Sequence, residues 1–146
     1  MGRSILGFLA GAAVAMVIIA AVEGISNIMH PLPEGLDTTD MEAMRAHAKT
    51  LPSSAFVMVL LAWSLGALGG GWLAAKIARR SPGTHGLAVG LLLLLGAVIN
   101  LLLIPHPGWM WPAGVLLPPA LGYLGGLLAR RSAPLSSPPG AAVAQG

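Results

Sequence analysis

Residues 53–80 read SSAFVMVLLAWSLGALGGGWLAAKIARR, an apolar run without charge until Lys76 and closed by Arg79 and Arg80. At about 1.5 Å per residue, its 53–78 portion is long enough to cross a hydrocarbon core of roughly 30 Å. Its basic end also supplies an orientation, because Lys and Arg concentrate on the cytoplasmic side of short membrane loops.

Working outward, three more runs have spanning length: 5–25, 87–104 and 109–129. The first could instead be a cleaved signal peptide, with Arg3 as its basic start and Ala20-Ala21 as small residues. Its apolar part exceeds the 7–15 residues usual for such a segment, which favours a retained span. The expected fold is therefore an all-α membrane protein, a four-transmembrane-helix bundle over residues 1–131. Residues 132–146, rich in Pro, Ser, Ala and Gly without periodicity, read as a disordered cytoplasmic tail.

Charge orders these runs. All five acidic residues fall between Glu23 and Glu42, whereas Arg3, Lys76, Arg79, Arg80, Arg130 and Arg131 account for six of the eight basic ones. Placing Arg3 inside puts loop 26–51 outside, the turn after Lys76 inside, the turn at Pro105 outside and the tail inside. Only Arg45 and Lys49 then lie outside. Trp109 and Trp111 fall at the outer boundary and Trp72 near the inner one, where indoles settle.

Composition excludes several classes. Only 9% of residues are charged, against roughly 25% in soluble proteins, so the chain reads as one membrane domain. No basic face interleaved with aromatics exists, which excludes nucleic acid as a partner. The absence of cysteine removes disulfides, thiolate metal sites and a Cys nucleophile. No GxSxG, Walker loop or nucleophile beside a base appears, so the chain leans away from enzymes, and no cofactor is implied.

Loop 26–51 carries its own pattern. Thr39 and Glu42 have capping-box spacing, and Met41, Met44, Ala48 and Leu51 recur three and four residues apart. This predicts a short amphipathic helix in the first outer loop, lying on the membrane surface or over the bundle mouth. A solvated connector is the alternative. His47 and His85 read as surface residues.

Each span holds one Gly-x-x-x-Gly: Gly7/Gly11, Gly66/Gly70, Gly86/Gly90 and Gly122/Gly126. Small-residue stripes let helix backbones approach closely, and Gly66, Gly70 and Ala74 form the best candidate for a tight interhelical or protomer contact. Pro118-Pro119 predicts a kink midway along span four. The Pro-x-Pro exits at 31–33 and 105–107, with Arg pairs ending spans two and four, are compatible with two related hairpins or with coincidence.

One constellation could carry chemistry. Glu23, Asn27 and His30 stand at i, i+4 and i+7, so they share a helix face. Glu23 lies near 30 Å along span one from Arg3, and Asn100 lies about as far beyond Arg80 on span three. With His106 bordering the same side and Trp63 near the midplane, these six residues are the candidate ligand-binding set. The bland reading is that Glu23 simply reaches headgroups or water from near the interface. Glu23, His30 and His106 have metal-ligand chemistry but no compact ligand spacing, so no metal is assigned.

Glu23-Gly24, Pro31-Leu32-Pro33 with Asp37 and Asp40, Leu51-Pro52, Trp63, Gly69-Gly70-Gly71, Asn100 and 105–109 occur in an order that resembles a group of small four-span bacterial membrane proteins. The resemblance spans most of residues 1–130. It implies a bacterial inner-membrane location and brings no activity, cofactor or catalytic residue.

The functional expectation is a membrane protein that binds, and in one version transports, a small polar molecule, cation or lipid headgroup at an outward-facing pocket. Its partners would be membrane lipids, that ligand, and a second copy of the chain where transport needs a wider path. The alternatives are an accessory subunit of a larger membrane complex with no ligand of its own, or an intramembrane enzyme acting on lipid.

Overall fold

The computed structural model describes residues 1–131, and within them the chain is entirely helical. The helices are α1 (Gly2–Met29), α2 (Met41–Ala48), α3 (Ser53–Ala78), α4 (Pro82–Leu103) and α5 (Met110–Arg131). All except α2 are long and apolar enough to cross a membrane, as in a multi-pass membrane protein. The tail expected at 132–146 lies outside the described residues.

The helix ends follow local chemistry. Pro82 opens α4, where its missing N–H has no intrahelical partner to lose. The turn before it is tight, with Arg79 and Ser81 both left-handed at φ 56° and 39°. α2 starts at Asp40 rather than at the Thr39 of the expected capping box: the Asp40 carboxylate accepts from the Glu42 and Ala43 N–H groups. Thr39 is engaged elsewhere, its N–H and hydroxyl both donating to Asp37. Those bonds hold the Asp37 carboxyl below its ordinary range.

α1 and α3 are antiparallel partners. The Arg3 guanidinium donates to the Ile77 carbonyl at one end (3.2 Å), and His30 meets Ser54 at the other (2.9 Å). The buried residues of α1 are Gly7, Gly11, Ala15 and Ile19, a single stripe at four-residue spacing. It seats on Gly66, Gly70 and Ala74 of α3: a Cβ added at Gly70 would stand 2.5 Å from the Gly11 carbonyl oxygen, and one at Gly11 the same distance from that of Gly70. This face of α3 is met by α1 of the same chain, the interhelical one of the two contacts expected of the stripe.

α4 and α5 close on each other similarly, with Gly90 against the Pro118 carbonyl oxygen (a Cβ there would stand at 2.5 Å) and Gly86 against Gly122. α5 runs as one helix through Pro118 and Pro119. Gly71 of α3 then meets the Gly122 carbonyl, joining the two hairpins. The arrangement is lopsided, because α3 packs on α1, α4 and α5, whereas α1 only brushes α4. Exchanging the hairpins would require an equally extensive contact between α1 and α5, which is not among those formed by the described residues.

The core runs along α3, from Phe56 through Ala62, Trp63 and Ala67 to Ala74, and takes in Val89, Leu93, Ala97 and Leu101 of α4. Ile5, Leu9, Met16 and Val17 on α1, and Leu91, Leu92, Leu95 and Leu102 on α4, point outward. Leu93, inside the five-leucine run, turns in. Outward leucines cost nothing in lipid, which is as apolar as they are.

Candidate functional site

Glu23, Ser26 and Asn27 of α1 and Asn100 of α4 lie at the end opposite Arg3. A cavity of about 240 Å³ opens there among α1, α3 and α4. α1 contributes Glu23, Ser26 and Asn27, with His30 at its C-cap; α4 contributes Asn100; and His106 comes from the turn between α4 and α5. Ala55, Phe56 and Val59 of α3 form the apolar wall, and Met44, His47 and Ala48 of α2 complete the lining.

A hydrogen bond ties α2 to the end of α4. The Arg45 guanidinium donates to the Leu103 carbonyl at 2.6 Å, supplying a cation and a donor to the carbonyl end of α4. Ala48, the last residue of α2, is buried, and Leu51 just beyond the helix packs against the core. His47 is half-buried and lines the cavity, so the expectation that it is a plain surface residue is corrected: it stands one turn after Met44, on the side of α2 away from Arg45. His85 stays local, its Nδ1 at 3.0 Å from the Ser81 carbonyl oxygen.

Five of the six candidate ligand residues line the cavity: Glu23, Asn27, His30, Asn100 and His106. Trp63 does not. It is 7% exposed, part of the core, with its ring edge against Gly114 of α5. Phe56, Val59 and Trp63 share one face of α3, so the difference is depth: Trp63 lies about 6 Å below Val59 and beneath the cavity floor.

Hydrogen bonding fixes what the lining can offer. His106 Nδ1 lies 2.7 Å from the Ile104 carbonyl oxygen, which only accepts. Nδ1 therefore carries the proton and Nε2 keeps its lone pair in the neutral ring. Burial pushes the His106 pKa below its ordinary 6.5, against the opposing pull of the Ile104 bond, so this neutral form is the one present at pH 7. Its ring meets Phe56 edge to face at 5.4 Å. His30 uses Nε2 on the Ser54 hydroxyl and leaves Nδ1 buried without a partner. Whichever tautomer is present, one buried nitrogen is unsatisfied, a cost of about 1–3 kcal/mol that a bound polar group would remove.

Charge completes the description. Glu23 is the only acid in the lining, and no Lys or Arg joins it. Glu23, His30 and His106 do not converge as ligands: among the described residues no three His, Asp or Glu side chains are close enough to hold a metal ion. The cavity has amides, imidazoles, a hydroxyl and one carboxyl group on a polar side, and an aromatic and aliphatic wall opposite. No family model, curated protein or solved structure matches this chain, so its function must be read from these residues.

Proposed function

We propose that the chain is a bacterial inner-membrane protein with both termini in the cytoplasm, and that its cavity faces outward and binds a small polar molecule, a cation or a lipid headgroup. The orientation rests on the basic residues: Arg3, Lys76, Arg79, Arg80 and Arg130 lie at one end, and the cavity and α2 at the other. The short α2 then acts as an amphipathic cover in the first outer loop. Transport of the ligand would use the same cavity.

A single observation carries the reading. Polar residues from three separate stretches line one cavity, where a buried His30 nitrogen has no partner and Glu23 has no counter-charge among the described residues. Interfacial residues that only reached for water would have no reason to share one concave surface.

The test is thermal unfolding in mild detergent with ethanolamine, choline, urea and glycerol phosphate, which sample cations, a neutral polar molecule and an anionic headgroup. At least one should raise the Tm of the protein and leave that of Glu23→Gln unmoved. Equal stabilisation of both proteins would remove Glu23 from the site.

A further inference from the structure

The cavity has no fourth wall. α1 and α4 approach at Gly11 and Val89, where a Cβ on Gly11 would stand 3.2 Å from Val89, and contact between the two helices is otherwise slight. Glu23 lies about 18 Å along α1 from that point and Asn100 about 16 Å along α4, so both sit at one height above it. Glu23, Asn27 and Asn100 are all exposed although they line the cavity. On the membrane reading, that exposure is to the side, into the outer leaflet. The upward route is covered by α2, held by Arg45 on Leu103.

The lining has a sign. Glu23 is the only Asp, Glu, Lys or Arg among its described lining residues, the Asn27 and Asn100 amides add acceptor oxygens, and His106 presents an Nε2 lone pair because its proton is held at Nδ1. The basic residues at this end, Arg45 and Lys49, line a different groove beyond α2, with Leu103 and Trp111. A phosphate or carboxylate in the cavity would meet the Glu23 carboxyl with no Lys or Arg to offset it. An ammonium offers three donors to these acceptors and a positive charge to Glu23 and the Phe56 ring. Elsewhere on the same helix ends Ile25 and Ile28 of α1 and Ile99 and Leu102 of α4 are exposed, apolar surface of the kind that lipid covers.

We propose that the cavity takes a membrane-borne amine, admitted sideways between α1 and α4, with its ammonium paired to Glu23 and its apolar chain left in the gap. This rests on the cavity being a binding site, and adds the charge of the ligand and its route.

The test uses the full chain in nanodiscs of phosphatidylcholine, with empty discs subtracted, and three labelled probes: dodecylammonium, butylammonium and dodecanoate. Dodecylammonium should bind saturably, with affinity at least tenfold above that of butylammonium, and at least tenfold weaker in Glu23→Gln; dodecanoate should not bind saturably. Circular dichroism of Glu23→Gln establishes that the variant is folded. Equal affinity for the two amines, lost together in Glu23→Gln, would overturn the sideways route and leave the binding site standing. Dodecanoate binding as tightly as dodecylammonium would overturn the charge selection. If none of the three shows Glu23-dependent binding, the inference fails as a whole, while the thermal panel judges the binding site separately.

Discussion

One methyl group, placed at different glycines, separates the architecture described above from a bundle with α3 turned elsewhere. At Gly70 a Cβ would stand 2.5 Å from the Gly11 carbonyl oxygen and 2.8 Å from Ala15 Cβ, whereas ordinary contact begins at 3.4 Å. The obstacle is backbone on a rigid helix, so α1 and α3 must move apart by a substantial part of that shortfall. Overpacking of this kind costs about 1–3 kcal/mol. At Gly96 in α4 a Cβ meets nothing within 4 Å, and Ala there gains roughly 0.5–1 kcal/mol of helix preference over Gly. The same gain applies at Gly70, so Gly70→Ala should be less stable than Gly96→Ala by the overpacking cost, about 1–3 kcal/mol. Reversible unfolding in mixed micelles, titrated with dodecyl sulfate and followed by far-ultraviolet circular dichroism, measures the difference. Equal stabilities would refute the α1–α3 backbone contact. Unchanged stability with a changed molecular mass by light scattering would show instead that Gly70 faces a second protomer.

Asp40→Ala should cost about 0.5–2 kcal/mol locally and speed amide exchange across α2, since a helix of eight residues does not persist unsupported; a larger effect from Thr39→Ala would contradict the cap seen here. His106 has its folded pKa below 6.5, so the unfolded chain binds its proton more readily, and stability should fall as pH drops through 6.5 toward that lowered value and stay level above it. A melting-temperature profile that loses this acid-side slope in His106→Gln checks the assignment, and an unaltered slope counts against it. The chain has no cysteine, so Thr38→Cys and Thr84→Cys can be made singly; an impermeant maleimide should label only the former in spheroplasts, and the reverse pattern would invert the orientation.

The four long helices were legible because an apolar stretch of this length has few other uses, and polar residues within such stretches stand out. Glu23, Asn27 and Asn100 were found that way. The apolar wall was not legible, since Phe56 and Val59 look the same in sequence whether they face lipid, core or cavity. Trp63 stands near the expected depth, but the cavity does not reach it: helical spacing gives the face, whereas the depth of a cavity depends on where neighbouring helices diverge. Thr39 and Asp40 are adjacent cap candidates, and the competing Asp37 carboxylate that engages Thr39 decides between them. The pairing of glycine stripes was likewise hidden, because every span carries one and spacing alone does not say which meets which.

The slight α1–α4 contact turns the molecule into a lever. Its fulcrum is where Gly11 lies against Gly70 and Val89, surfaces without long side chains to interlock. A tilt of α1 by about 5° about that point would swing Glu23 by about 1.6 Å, given the roughly 18 Å arm between them. Such a tilt works against the α1–α3 contact, from Ile19 on Gly66 to His30 on Ser54, so widening the jaw that holds the carboxylate draws on the packing that seats α1.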